Sequence, residues 1–352
     1  MSRSAAVLAS LLVTLGRPAW WVLALSTFLV RGGALLFLLP IVTIPSPLAV
    51  SNILAPVVVP LALGRIGPDV LLLAVVGAMA IFLWLVVGGW LAAAVELGLI
   101  REAAAAAVEE GVVDGPVRSD EPRPRDRDVA GGMLATRLVV GLPLAAAVGL
   151  GVVRIVAVTY RELTNPSDVA LSLPIRVALG ASAEIAVIVL AWVAGELIAG
   201  LAGRRVALAG VGVWPALRSA VASTVRRPRS TIAPWLLWSI VLWGMLAGLL
   251  VAARVTWDQA QAAMSASRPD GIAIAAMLVV FVAVWLGGLS LAGLLAAVRT
   301  VGGTFEDLRT AAQRASRAIG SAEEGSGDPG TFGASTHHRP GDWSVDDDGG
   351  SL

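Results

Sequence analysis

The sequence predicts an all-α fold, a polytopic membrane helix bundle of six transmembrane helices in three repeated hairpins, with amphipathic helices at the membrane interface. Three observations predict it. Apolar runs of 20 residues or more recur six times, and about 20 such residues at 1.5 Å each cross a hydrocarbon core of about 30 Å. Arginines gather in alternate connections between these runs. A pattern of small residues returns in every second run.

Residues 1–18 form the first element. Leu8, Leu11, Leu12 and Leu15 share one helical face, while Arg3, Ser10, Thr14 and Arg17 share the other. That is an interfacial amphipathic helix, and no small-residue cleavage site follows it. The six-span domain covers 19–300. Its first span, 19–40, opens on the interfacial pair Trp20 and Trp21 and carries Arg31 near its middle. The apolar stretch 45–69 is broken by Pro47, Pro56 and Pro60. Prolines so dense forbid a long regular helix and predict a short re-entrant or surface-lying segment.

The second span covers 70–95 and leads into a polar linker over 101–130. The linker's end, from Arg118 to Asp128, mixes both charge signs with prolines and reads as a disordered loop. The third span covers 133–158 and the fourth 176–203. A second interfacial helix follows at 214–226, with Trp214, Leu217, Val221 and Val225 on one face. The fifth span covers 232–253 and the sixth 271–298. A charged helix is expected over 301–319, and the Gly-, Ser- and Asp-rich tail 320–352 has too few apolar residues to order itself.

The second, fourth and sixth spans each carry a small-xxx-small pair in their inner half: Gly88 with Ala92, Gly195 with Ala199, Gly288 with Ala292. Each pair is followed by arginine, at Arg101, Arg204 and Arg299. The repetition predicts three hairpins whose helix packing rests on these residues, because small side chains let backbones approach where lipid supplies no hydrophobic driving force. Arginines are rich before the first span, after the second and fourth, and after the sixth. By the positive-inside rule both termini lie in the cytoplasm of a multi-pass protein of the bacterial cytoplasmic (inner) membrane.

Composition narrows function by exclusion. With 57% hydrophobic and 14% charged residues the chain is too apolar for a soluble protein of 352 residues. A net charge of +1 gives no case for a nucleic-acid partner. There is no cysteine, and both histidines, His337 and His338, lie in the tail, so neither a metal site nor a cofactor is expected. Phosphate-loop, zinc-helix and nucleophile-elbow motifs are missing, so no catalytic residue is expected either. Membrane lipid is the expected partner, with the cytoplasmic loops and tail open to proteins.

Chemistry concentrates on intramembrane charge. Arg31 lies about nine residues below Pro40, and Glu184 about ten below Pro174. Equal depth predicts an ion pair between the first and fourth spans, since a lone charge at that depth costs about 3 kcal/mol or more. A second pair, Arg137 with Glu196, is expected nearer the cytoplasm. Glu96, Arg154 and Arg176 read as interfacial side chains that snorkel to water.

Six spans with amphipathic helices leading into the odd-numbered ones, together with the Gly-Gly positions above, resemble uncharacterised bacterial membrane proteins similar to the membrane domain of some glycerophosphodiester phosphodiesterases. The resemblance covers residues 1–300. It implies no enzyme activity, because the catalytic barrel of such phosphodiesterases has no room in this chain. Two functions stay open: a non-catalytic scaffold or accessory membrane component, and a secondary transporter or channel whose charge site is Arg31 with Glu184.

Overall fold

The computed structural model describes residues 3–41, 67–112, 125–226, 228–265 and 270–325, and their regular structure is entirely helical. In chain order the helices are α1 Arg3–Gly16, α2 Pro18–Phe28, α3 Ala34–Leu38, α4 Pro68–Leu83, α5 Gly89–Glu109, α6 Asp126–Thr164, α7 Leu173–Gly180, α8 Ser182–Ala209, α9 Val213–Arg226, α10 Pro228–Met264 and α11 Gly271–Gly325. A π-turn, Leu29–Gly33, joins α2 to α3, and a second, Trp84–Gly88, joins α4 to α5. Six stretches are long and apolar enough to cross a membrane: Pro18–Leu38, Ala74–Glu109, Asp126–Thr164, Ser182–Ala209, Thr231–Met264 and Gly271–Arg314. Helices suit that solvent because every backbone polar group inside them is satisfied within the segment.

Local chemistry sets the breaks. Arg17 precedes Pro18, and the proline ring drives it out of helical geometry (φ −124°, ψ 78°), ending α1. Proline also starts α2 and α4, where its missing N–H costs nothing. Gly210 closes α8 in the left-handed region at φ 62°. Hydroxyls within the spans bond back to their own helix, as Thr27 does to Leu23 and Thr136 to Gly132.

The helix α5 stands at the centre of the packing. One face, with Ala93, Leu97 and Ile100, meets α6, α8 and α9 through Met133, Leu201 and Leu217. The adjacent face, with Leu99, Ala103 and Ala107, meets Trp20 and Ala24 of α2 and Ala297, Val301 and Phe305 of α11. Alanine along both faces brings the backbones close. A third cluster, Phe37, Leu242, Leu246 and Ala292, joins α3, α10 and α11. The outer surface is apolar, with Phe82, Leu150, Val153, Leu190 and Val279 each exposed by more than half. Lipid, not water, is the solvent that such a surface matches.

The small residues of the even spans sit against the preceding odd span. A side chain at Gly88 would meet Val30, one at Gly195 would meet Val140, and one at Gly288 would collide with Leu249. Their companions Ala92, Ala199 and Ala292 are buried.

Several boundaries differ from the sequence reading. The fourth crossing does not begin at 176: the chain breaks at Ala181 (φ −120°, ψ 26°), leaving α7 as a separate short helix. The sixth helix runs unbroken past Arg299 to Gly325, so the expected helix over 301–319 forms as a continuation of α11 and not as a separate element, and residues 320–325 at the start of the expected disordered tail are helical. Helix also covers 101–109 and 126–130 of the expected linker. The chain from Thr310 onward belongs to a second compact unit. The proline-broken segment up to residue 66, linker residues 113–124 and the tail from 326 lie outside the described residues.

Both amphipathic helices turn their apolar faces outward. In α1, Ser10 and Thr14 are buried while Leu8 and Leu12 are exposed. In α9, Trp214 and Val225 are exposed, and Ser219 and Ser223 accept hydrogen bonds from Arg205 at 2.7 and 2.8 Å. Trp20 is buried within the protein, and its Nε1–H donates to Glu102.

Candidate functional site

Glu96 of α5 lies between that helix's two packed faces, and two guanidinium groups converge on it. Arg137 of α6 donates to both carboxylate oxygens, at 3.0 and 2.8 Å. Arg31 donates to the same carboxylate from the π-turn Leu29–Gly33. The three side chains are 12%, 16% and 22% exposed for Glu96, Arg137 and Arg31, so the triad is largely shut off from solvent.

Backbone irregularity places Arg31. Gly32 adopts φ 106°, a conformation open to glycine and strained for other residues, and the extra residue of the π-turn re-aims the side chain before it. The second π-turn packs on the first: a Cβ at Gly88 would lie 3.3 Å from Val30. Both irregularities therefore sit in the contact between the first two spans.

Beside the triad, Glu196 of α8 lies 3.6 Å from Arg299 of α11. Glu196 also interacts electrostatically with Arg137 and Arg31. The five side chains form one cluster of three arginines and two glutamates. A cavity of about 300 Å³ opens against it, lined by Arg31, Glu96, Glu196 and Arg299, with Arg137 behind Glu96. Trp192 and Trp243 wall the cavity as an edge-to-face pair with ring centroids 5.0 Å apart. The Nε–H groups of Arg31 and Arg137 are buried and have no hydrogen-bond partner among the described residues.

The expected pairing of Arg31 with Glu184 does not form. Arg31 is taken by Glu96, and Glu184 lies 3.6 Å from Arg154, in a pair with side chains 33% and 55% exposed. The break at Ala181 explains this, for it puts Glu184 in the first turn of α8, at the shallow end of the crossing. Glu196 and Arg137 do share a cluster, but the nearest cation to Glu196 is Arg299, and the hydrogen bonds of Arg137 go to Glu96. Arg176 does not snorkel: it is 12% exposed and lies 3.8 Å from buried Glu162, which accepts Ser167 N–H and Oγ–H at 2.9 and 2.8 Å.

Glu96 and Arg299 are the site residues that the sequence reading missed. Depth counted from the arginine-rich helix ends finds the first. Arg31 lies thirteen positions after Pro18, Glu96 thirteen before Glu109, Arg137 eleven after Asp126 and Glu196 thirteen before Ala209. Counting from the outer prolines hides that level. Arg299 carries no such mark, because its helix runs on without a stop.

Among the described residues no group of His, Asp or Glu is placed to hold a metal ion. The cluster can hold charge, order water and bind a small solute through forked N–H donors. No family model, curated protein or solved structure matches the chain.

Proposed function

We propose that this protein is a bacterial cytoplasmic-membrane component, with both termini in the cytoplasm, that binds and passes a small polar solute at the Arg31–Glu96–Arg137–Glu196–Arg299 cluster. It does so without catalysing a covalent step. The observation that carries this reading is the cavity of about 300 Å³ against buried charge. A scaffold gains nothing from such a space, since a packed apolar seam stabilises a bundle without desolvating ions. The volume falls at the lower end of the range for small-molecule pockets. The π-turn Leu29–Gly33 in the cavity wall, with the second π-turn packed on it at Gly88, supports a moving part, because such turns mark hinges in helices.

A scaffold or accessory subunit is the second reading, favoured by the alanine seams of α5 and by the mutual neutralisation of most of the cluster. The layout resemblance to phosphodiesterase membrane domains is compatible with either.

The chain has no native cysteine, so single-cysteine labelling is clean. Thr300→Cys, in the cavity lining, is to be compared in membrane vesicles with Ala297→Cys, fully buried one helical turn earlier. Solute binding predicts that a small thiosulfonate reagent modifies Thr300→Cys at least about tenfold faster. Equal, negligible rates at both positions favour the scaffold.

A further inference from the structure

We propose that the solute is a singly charged oxyanion, a carboxylate or phosphodiester on a small apolar body, held by Arg299 and Arg31. This rests on the solute-binding reading above and names the ligand of that site.

The charge count comes first. Three arginines face two glutamates in the cluster, which leaves one positive charge without a counterion among the described residues. The nearby charged groups toward the arginine-rich end are already answered: Arg204 by Asp307, Arg101 by Asp126, and Glu102, which accepts from the Trp20 indole, by solvent at its exposed position. A charge away from water is stable when a counterion and hydrogen bonds answer it. One bound anion supplies both.

The donor count agrees. Arg31, in the cavity lining, spends Nη2 on Glu96, yet its buried Nε–H group has no acceptor among the described residues. A donor left in that state costs about 1–3 kcal/mol, so the site favours a ligand rich in acceptors. Arg299 is the least committed of the three, since 3.6 Å to Glu196 exceeds hydrogen-bond length and leaves its fork free to turn. A carboxylate or phosphate matches that fork with two parallel N–H···O bonds.

The walls set the rest of the molecule. Phe28, Trp192 and Trp243 line the same cavity, which suits an apolar body. A cavity of about 300 Å³ holds roughly ten waters' volume, so the body is small or only a lipid headgroup enters.

The test uses the full chain carrying Thr300→Cys in phosphatidylcholine nanodiscs. Labelling rates are read with an anionic and a cationic thiosulfonate reagent, each normalised to a thiol in solution. The proposal predicts a normalised preference of about tenfold for the anionic reagent, lost in Arg299→Gln and kept in Arg299→Lys. Benzoate or diethyl phosphate in the buffer, or phosphatidylglycerol in the disc, should slow labelling at least about fivefold, while choline should not. Protection by the soluble anions identifies a free solute, and protection by phosphatidylglycerol alone identifies a headgroup. Labelling that proceeds with no anion preference and no protection overturns the oxyanion and leaves the solute-binding reading standing. No labelling with either reagent overturns both.

Discussion

Arg31 of the first crossing donates a hydrogen bond to Glu96 of the second, from a π-turn whose next residue, Gly32, stands at φ 106°. Arg137 reaches the same carboxylate from the third crossing, so one acidic group ties three membrane helices together. The triad is unequal by construction. Glu96 neutralises two cations, whereas each arginine has another charge of its own kind nearby.

Glu96→Gln should therefore be the most damaging single change in the cluster. It leaves two guanidinium groups buried with no carboxylate in hydrogen-bond reach, and losing one partner of a buried pair costs about 3–5 kcal/mol. Unfolding free energies of the purified protein in bicelles check it. A loss smaller than that of Arg137→Gln contradicts the central place given to Glu96.

Glu184→Gln should be nearly silent. Its pair with Arg154 is 3.6 Å apart and partly exposed, and such pairs contribute about 0–1 kcal/mol. The same unfolding measurement separates this outcome from that of Glu96→Gln.

Glycines divide by what stands behind them. An added Cβ at Gly293 meets the backbone oxygen of Trp21 at 2.7 Å, whereas at Gly244 nothing lies within 4 Å. Gly293→Ala should lose about 1–3 kcal/mol through overpacking that a backbone atom cannot relieve. Gly244→Ala should be neutral or slightly stabilising, since alanine favours helix. Melting temperatures in detergent rank the two.

Gly32→Ala should cost about 1–3 kcal/mol, because alanine is strained at the φ the π-turn requires. It should also weaken the protection of Thr300→Cys by benzoate, by moving Arg31. Gly16→Ala, with no neighbour within 4 Å and no positive φ, is the matched control.

The six crossings were legible in the sequence because lipid demands long apolar runs, and the all-α class followed from the same demand. What escaped were features set by a single backbone torsion or by one close approach. Gly32-Gly33 gives no sign of a π-turn. The break at Ala181 carries no proline, and it moved Glu184 from mid-membrane to a helix start. Gly302-Gly303 looks like a helix stop after Arg299, yet the helix continues. Gly303 faces the Arg204 guanidinium, 2.9 Å from an added Cβ, so its bareness makes room for the Arg204–Asp307 pair at 2.6 Å. Arg31, Arg137 and Glu196 were visible as costly charges. Their partners were not, because pairing depends on depth, and depth depends on where each helix begins.

Two double-mutant cycles measured side by side test the assignment of partners most directly: Arg31→Gln with Glu96→Gln, and Arg31→Gln with Glu184→Gln. The Arg31–Glu96 contact predicts a coupling above about 1 kcal/mol in the first cycle and additivity within about 0.5 kcal/mol in the second. Additivity in the first, or coupling in the second, contradicts the charge cluster on which the functional reading stands.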